Sequence, residues 1–144
     1  MYEITYYSIA NPGISGQDIA SILRTSRTHN ASRDITGCLL FHHGQFIQIL
    51  EGDKSTVDDL IDKIKKDHRH SYFYKLAEGN KEDRTFPDWT MAFREFSEGD
   101  MKSVSEVLFI NNFLAFSALA EKPTHTIRSF WDSVQKLLTK DFTS

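Results

Sequence analysis

Two runs rich in β-branched and aromatic residues, 35–41 and 45–52, flank His42-His43-Gly44. This is the pattern of a β-hairpin whose glycine supplies the positive φ of a short turn. In the return strand a period of two sets Phe46, Gln48 and Leu50 on one face and Gln45, Ile47, Ile49 and Glu51 on the other. Both faces carry apolar residues, so the strand is expected at the centre of a sheet with material packed on each side. Gln48 breaks the pattern. A carboxamide buried between Phe46 and Leu50 would cost roughly 2–7 kcal/mol unless it were hydrogen-bonded, so its partner becomes the functional question.

The rest of the chain supplies the neighbours. Residues 2–9 alternate as a first strand, with Tyr2, Ile4, Tyr6 and Ser8 sharing a face, and Asn11-Pro12-Gly13 ends it. Ser15 with Asp18 resembles a capping box, and Ile19, Ile22, Leu23 and Ser26 follow at helical spacing. Because Asn tolerates the left-handed conformation that closes helices, this one is expected to finish near His29-Asn30. Ser55 with Asp58 repeats the capping signal ahead of the stripe Val57, Leu60, Ile61 and Ile64, and Lys63, Lys65 and Lys66 suit the negative end of that helix. Residues 71–77 read as a fourth strand and the charged run 78–84 as a solvated loop. Trp89, Met91 and Phe93 alternate with Thr90, Ala92 and Arg94 in a fifth strand, with Pro87 ahead of it. From Asp100 the period turns helical: Val104, Val107 and Leu108 open one helix, 121–126 is a Pro-containing break, and Ile127, Phe130, Trp131, Val134, Leu137 and Leu138 form the strongest stripe of the chain.

The order β-α-β-β-α-β plus one strand predicts an α+β, ferredoxin-like sheet with two helices on one face. The two C-terminal helices are expected on or near the other face, or at a subunit interface. Residues 1–96 would then form one domain and 97–144 a two-helix extension.

Composition narrows the function classes. The 144 residues suit one domain, and the net charge of −3 gives no overall footprint for nucleic acid. The single cysteine, Cys38, excludes an intrachain disulfide and reads as a small buried apolar side chain. With no signal peptide and no apolar run of membrane-spanning length, the expected compartment is the cytoplasm, without membrane or nucleic-acid partners. Eleven Phe among 12% aromatic residues can build a core and also line the pocket of a planar ligand.

Three polar sets sit inside this scaffold: Tyr6, His29-Asn30 and Gln48. Tyr6 and Gln48 fall on adjacent central strands, where a phenol and a carboxamide can form a buried hydrogen-bonded pair. Their context resembles the BLUF family of flavin-binding blue-light sensors. The likeness runs through Tyr6-Tyr7-Ser8, Thr25-Ser26-Arg27-Thr28-His29-Asn30, Ile35-Thr36-Gly37, residues 46–52, Asp67-His68-Arg69-His70-Ser71 and Phe86-Pro87-Asp88-Trp89-Thr90-Met91. It implies a photoreceptor binding FAD noncovalently, with FMN and riboflavin also compatible. Tyr6 would give an electron and a proton to the excited flavin, and Gln48 would bridge that phenol to the ring edge. Asn30 would hydrogen-bond the ring with His29 beside it. Asp67, Arg69 and His70 would serve its carbonyl edge or its ribityl and phosphate side, and Ile9, Ser26 and Phe46 match further pocket positions. Trp89 and Met91 would pass the signal on. Strand parity sends Tyr7 to the opposite face, so only one of the two tyrosines can meet Gln48.

Residues 97–144 are too few for a cyclase or phosphodiesterase domain, so the resemblance is to the short stand-alone type. It would have no enzymatic output, signalling through an unidentified downstream protein, and a homo-oligomer is expected. Other constellations rank lower. His68-x-His70 lacks the further ligands of a metal site, and no Gly-rich phosphate loop is present. A small acylphosphatase-like hydrolase, with Asn30 orienting water and an Arg cradling phosphate, is the alternative. An RNA-binding sheet is opposed by the acidic balance.

Overall fold

The computed structural model describes residues 1–42, 44–86, 92–96 and 124–142. Strand β1 (Tyr2–Ala10) leads to helix α1 (Gly16–Arg33), then to the hairpin β2 (Thr36–His42) and β3 (Gln45–Gly52). Helix α2 (Lys54–Lys66), β4 (His70–Asn80), β5 (Ala92–Phe96) and helix α3 (His125–Phe142) follow. The sheet order is β4-β1-β3-β2-β5. β1 runs antiparallel to β3 and β4, β2 antiparallel to β3, and β5 parallel to β2. This is the ferredoxin-like α+β arrangement with one added strand.

Alternation along the strands builds two cores. Tyr6, Phe46 and Leu50 pack with Ile22 of α1 and with Val57 and Ile61 of α2 on one face. Ile47 and Ile49 pack with Cys38, Leu40 and Phe86 against Ile127, Phe130, Trp131 and Val134 of α3 on the other. That is the division expected of a central strand apolar on both sides. Burial pushes the Cys38 thiol up to about 12, as suits a packing residue. The helix expected to begin at Val104 lies outside the described residues, as do Trp89 and Met91.

Several boundaries differ from the sequence reading, each for a local reason. The Ser15–Asp18 capping box forms, with the Asp18 amide donating to Ser15 Oγ at 3.1 Å and the Ser15 amide to Asp18 Oδ2 at 2.9 Å. α1 passes through Asn30, however, and closes at Asp34, whose φ of 57° is left-handed and whose amide donates to the Asn30 carbonyl. α2 starts from Asp53, and Ser55 Oγ donates to Asp53 Oδ2 at 2.7 Å instead of capping the helix. The hairpin turn meets its expectation, with Gly44 at φ 73°. β4 runs on to Asn80, and the stretch beyond it is not uniformly solvated. The Lys81 side chain, 6% exposed, turns inward to the Glu3 and Glu51 carboxylates.

Candidate functional site: a cleft over the Tyr6–Gln48 pair

α1 and α2 lie on the same sheet face, and between them and the strands is a partly open cleft lined by residues of both helices and of β1, β2 and β3. Its floor follows from strand register. Tyr6 and Gln48 are direct partners across β1 and β3, and Leu39 of β2 stands on the far side of Gln48. The Tyr6 hydroxyl donates to Gln48 Oε1 in a site where Tyr6 is 2% and Gln48 3% exposed. Burial, and then the negative charge of Asp67, pushes the Tyr6 phenol above its ordinary range, so it is neutral and protonated. Phe73 stacks on the Tyr6 ring, centroids 4.6 Å apart at 23°, and holds its orientation. Tyr7 takes the opposite face as parity requires, its hydroxyl donating to Gln45 Oε1 at 2.6 Å.

Asn30 projects from the last turns of α1. It is 1% exposed and lines the cleft, and neither its Oδ1 nor its Nδ2 has a hydrogen-bond partner among the described residues. A fully buried carboxamide left unpaired is costly, so the site is built for a polar ligand edge to complete it. Because the helix closes at Asp34 and not at Asn30, the amide is held on a regular helical turn.

Ser26 and His29 line the same cleft from α1, Phe46 from β3, and Asp67, Arg69 and His70 from the α2–β4 connection. Asp67 grips Arg69 bidentately, with Nε 3.0 Å from Oδ1 and Nη2 2.6 Å from Oδ2. The Arg69 guanidinium holds the Asp67 carboxyl below its ordinary range. Ser8 Oγ lies 2.9 Å from His70 Nδ1, and burial holds that imidazole below its usual pKa. Apolar walls come from Ile22, Leu39, Leu60 and Ile64.

Not every nominated residue arrives. Ile9 is 38% exposed on the Tyr7 face of β1 and does not line the cleft, because its odd position in the strand points it away. Conversely, Thr25, Arg33 and Lys63 line the cleft although the sequence motifs assign none of them a role in the site. Lys63 sits between Leu60 and Ile64 on the wetted side of the α2 stripe, and Arg33 lies one turn beyond Asn30 and His29; helical spacing could have found both. His68 faces solvent and His70 is engaged by Ser8, so the pair does not converge, and among the described residues no cluster of metal-ligating side chains occurs. No described helix is long and apolar enough to cross a membrane.

The cleft combines apolar walls, a buried phenol–amide pair and an unsatisfied amide, residue chemistry that suits a heteroaromatic ring with polar edges such as a flavin. Residues 1–92 match the family model described as BLUF, sensors of blue light using FAD. The chain is 37% identical over 89 residues to the photoactivated adenylate cyclase subunit beta of Euglena longa, covering 61% of this chain and 10% of that one. A photoactivated adenylate cyclase subunit alpha-like protein of Euglena gracilis is 34% identical over 135 residues, 90% of this chain and 12% of the relative. The chain thus spans about a tenth of the length of these curated relatives. Among solved structures, BlrB, a BLUF protein in its dark state, superposes with a TM-score of 0.65 at 29% identity, covering 92% of this chain and 96% of BlrB. BlsA in its photo-activated state superposes with a TM-score of 0.67 at 25% identity, covering 92% of each chain. On the match over its first 92 residues, the chain belongs to the BLUF family of blue-light sensors.

Proposed function

We propose that this chain is a blue-light receptor that holds FAD noncovalently in the cleft between α1, α2 and the sheet, with Tyr6 and Gln48 as its switch. The observation that carries the reading is the hydrogen bond from the buried Tyr6 hydroxyl to Gln48 Oε1 on the cleft wall. A bound flavin supplies a strong oxidant when it absorbs blue light. Tyr6, kept protonated by burial, is the source of an electron and a proton. Gln48 is the relay, since a carboxamide accepts at oxygen and donates at nitrogen and can reorient or tautomerise with no net redox change. A carboxylate at that position would have no donor. In a buried site such a rearrangement carries more energy than it would in water, which lets it bias the surrounding packing.

Asn30 would hold the ring edge, His70 and the Arg69–Asp67 clamp would border it, and the FAD form is favoured over FMN by the family description. Trp89 and Met91 would carry the change onward. Output would go to a partner protein or through altered homo-oligomerisation, not through turnover by this chain. The hydrolase alternative is weakened by the absence of a Gly-rich phosphate loop from the sequence, and Arg69 is already engaged by Asp67. An RNA-binding sheet is opposed by α3, which lies over Ile47 and Ile49.

The test is the absorption spectrum of the purified protein before and after blue illumination. A yellow preparation with a reversible red shift is expected; Tyr6→Phe should keep the colour and lose the shift, and Tyr7→Phe should keep both. A colourless protein that takes up no flavin, or a response that depends on Tyr7, would overturn the reading.

A further inference from the structure

Ser8 is fully buried in β1, opposite Phe46 of β3. Among the described residues its hydroxyl has a single side-chain partner, His70 Nδ1 at 2.9 Å. A hydroxyl carries one proton, and a buried O–H left unspent loses the full value of its solvation. The His70 ring is neutral: burial outweighs the opposing pull of Asp67, and Arg69 adds to the depression. A neutral imidazole has one donor and one acceptor nitrogen. If Nδ1 held the proton and donated to Ser8, the serine O–H would be buried with nothing to accept it. If Nδ1 is the acceptor, both groups are satisfied and the proton sits on Nε2. Phe46, its ring centroid 5.0 Å from the imidazole, packs against the ring and limits its rotation. The charged neighbours Asp67 and Arg69 are committed to each other. With Nδ1 taken up by β1, Nε2–H is what His70 has left to offer the cleft that it lines.

We propose that Ser8 is a positioning residue: its hydroxyl donates to His70 Nδ1, fixes the imidazole as the Nε2–H tautomer and so presents a hydrogen-bond donor to an acceptor edge of the bound flavin. The tautomer assignment stands on this chain's own groups; its consequence for the ligand rests on the receptor reading above. Apart from its one N3–H donor, the isoalloxazine edge carries carbonyl oxygens and unprotonated ring nitrogens; to any of these acceptors a fixed donor is the complementary partner, whereas the other tautomer would set acceptor against acceptor.

The decisive measurement is a long-range proton–nitrogen correlation spectrum of the full chain, as purified and labelled with nitrogen-15 in its histidines, at neutral pH. His70 should show an unprotonated Nδ1 and a protonated Nε2, and Ser8→Ala should move it to a mixed population. A protonated Nδ1 or an imidazolium in the wild type, or an unchanged tautomer in Ser8→Ala, overturns the proposal. Ser8→Cys, close in size and a weaker donor, replaces the alanine variant if that one does not fold. In the second arm, FAD binding is titrated in a double-mutant cycle. Ser8→Ala should weaken it roughly three- to tenfold in the wild-type background. It should have no further effect beside His70→Gln, whose amide carries its own donor. Equal losses in both backgrounds would mark Ser8 as packing alone. A preparation that takes up no FAD would sink the receptor reading, while the tautomer spectrum would still decide the role of Ser8.

Discussion

Lys81→Met would strip the ammonium from a nearly dry ionic cluster at the end of the sheet. Lys81 Nζ lies 2.8 Å from Glu3 Oε2 and 2.5 Å from Glu51 Oε2, and the three side chains are 6%, 1% and 0% exposed. Glu51 would keep three donors, the Thr36 hydroxyl at 2.7 Å and the Thr85 and Phe86 amides at 2.9 and 2.7 Å. Glu3 would lose its ion-pair partner and stay buried. Met matches the length of the lysine stem, so little packing is lost. The cost is then that of a buried charge without its counter-ion, about 3–5 kcal/mol at pH 7. The pH dependence supplies a second signature. Burial pushes the Glu51 carboxyl up, but the Lys81 hydrogen bond and charge, with the other donors, outweigh it and hold the group below its ordinary 4.5. A depressed carboxylate contributes stability that is fully present above the unfolded value and is lost as pH falls through the folded one. Removing Lys81 removes its share of that contribution, so the gap between wild type and variant should be full at pH 7 and narrow as pH drops below 4.5. Urea denaturation at pH 7, 5 and 4 (about neutral to near the ordinary carboxyl range) measures both quantities, and adding Glu3→Gln to the variant should restore part of the loss. A deficit under about 1 kcal/mol at neutral pH, or one that does not narrow on acidification, would refute the argument that Lys81 is the counter-ion these buried carboxylates require.

Two further substitutions probe the site and the strand beneath it. Asn30→Ala should weaken FAD retention by about 1–3 kcal/mol while leaving the stability measured without added flavin nearly unchanged, because the amide has no partner of its own to lose; equal losses with and without FAD would show that Asn30 serves only the fold. Gly37→Ala would drive a Cβ into the Ile49 carbonyl oxygen in the β2–β3 ladder, where backbone and not a flexible side chain must yield. It should cost about 3 kcal/mol or more in chemical denaturation, and a cost below about 1 kcal/mol would show that β2 can shift without disturbing β3.

The periodicities by themselves settled the order of the described elements, the double-sided burial of β3 and the pairing of Tyr6 with Gln48, because face and neighbour follow from a strand's period of two and from ferredoxin-like connectivity. The same parity excluded Tyr7 from the pair and, applied to Ile9, would have excluded that residue from the cleft as well. Tertiary structure alone decided which charges are solvated. Lys81 lies in a run that looks like a wet loop, yet the β1–β3 register sets Glu3 opposite Glu51 and draws the lysine inward, a consequence of two carboxylates far apart in the chain. It alone decided that Asp34 closes α1, which leaves Asn30 on a helical turn with its amide in the cleft. Pairings such as Ser8 with His70 depend on which side chains meet across β1 and β4, and local sequence carries no signal for them. Periodicity encodes which face a residue takes; the partner it meets on that face is set by strands brought together from distant parts of the chain.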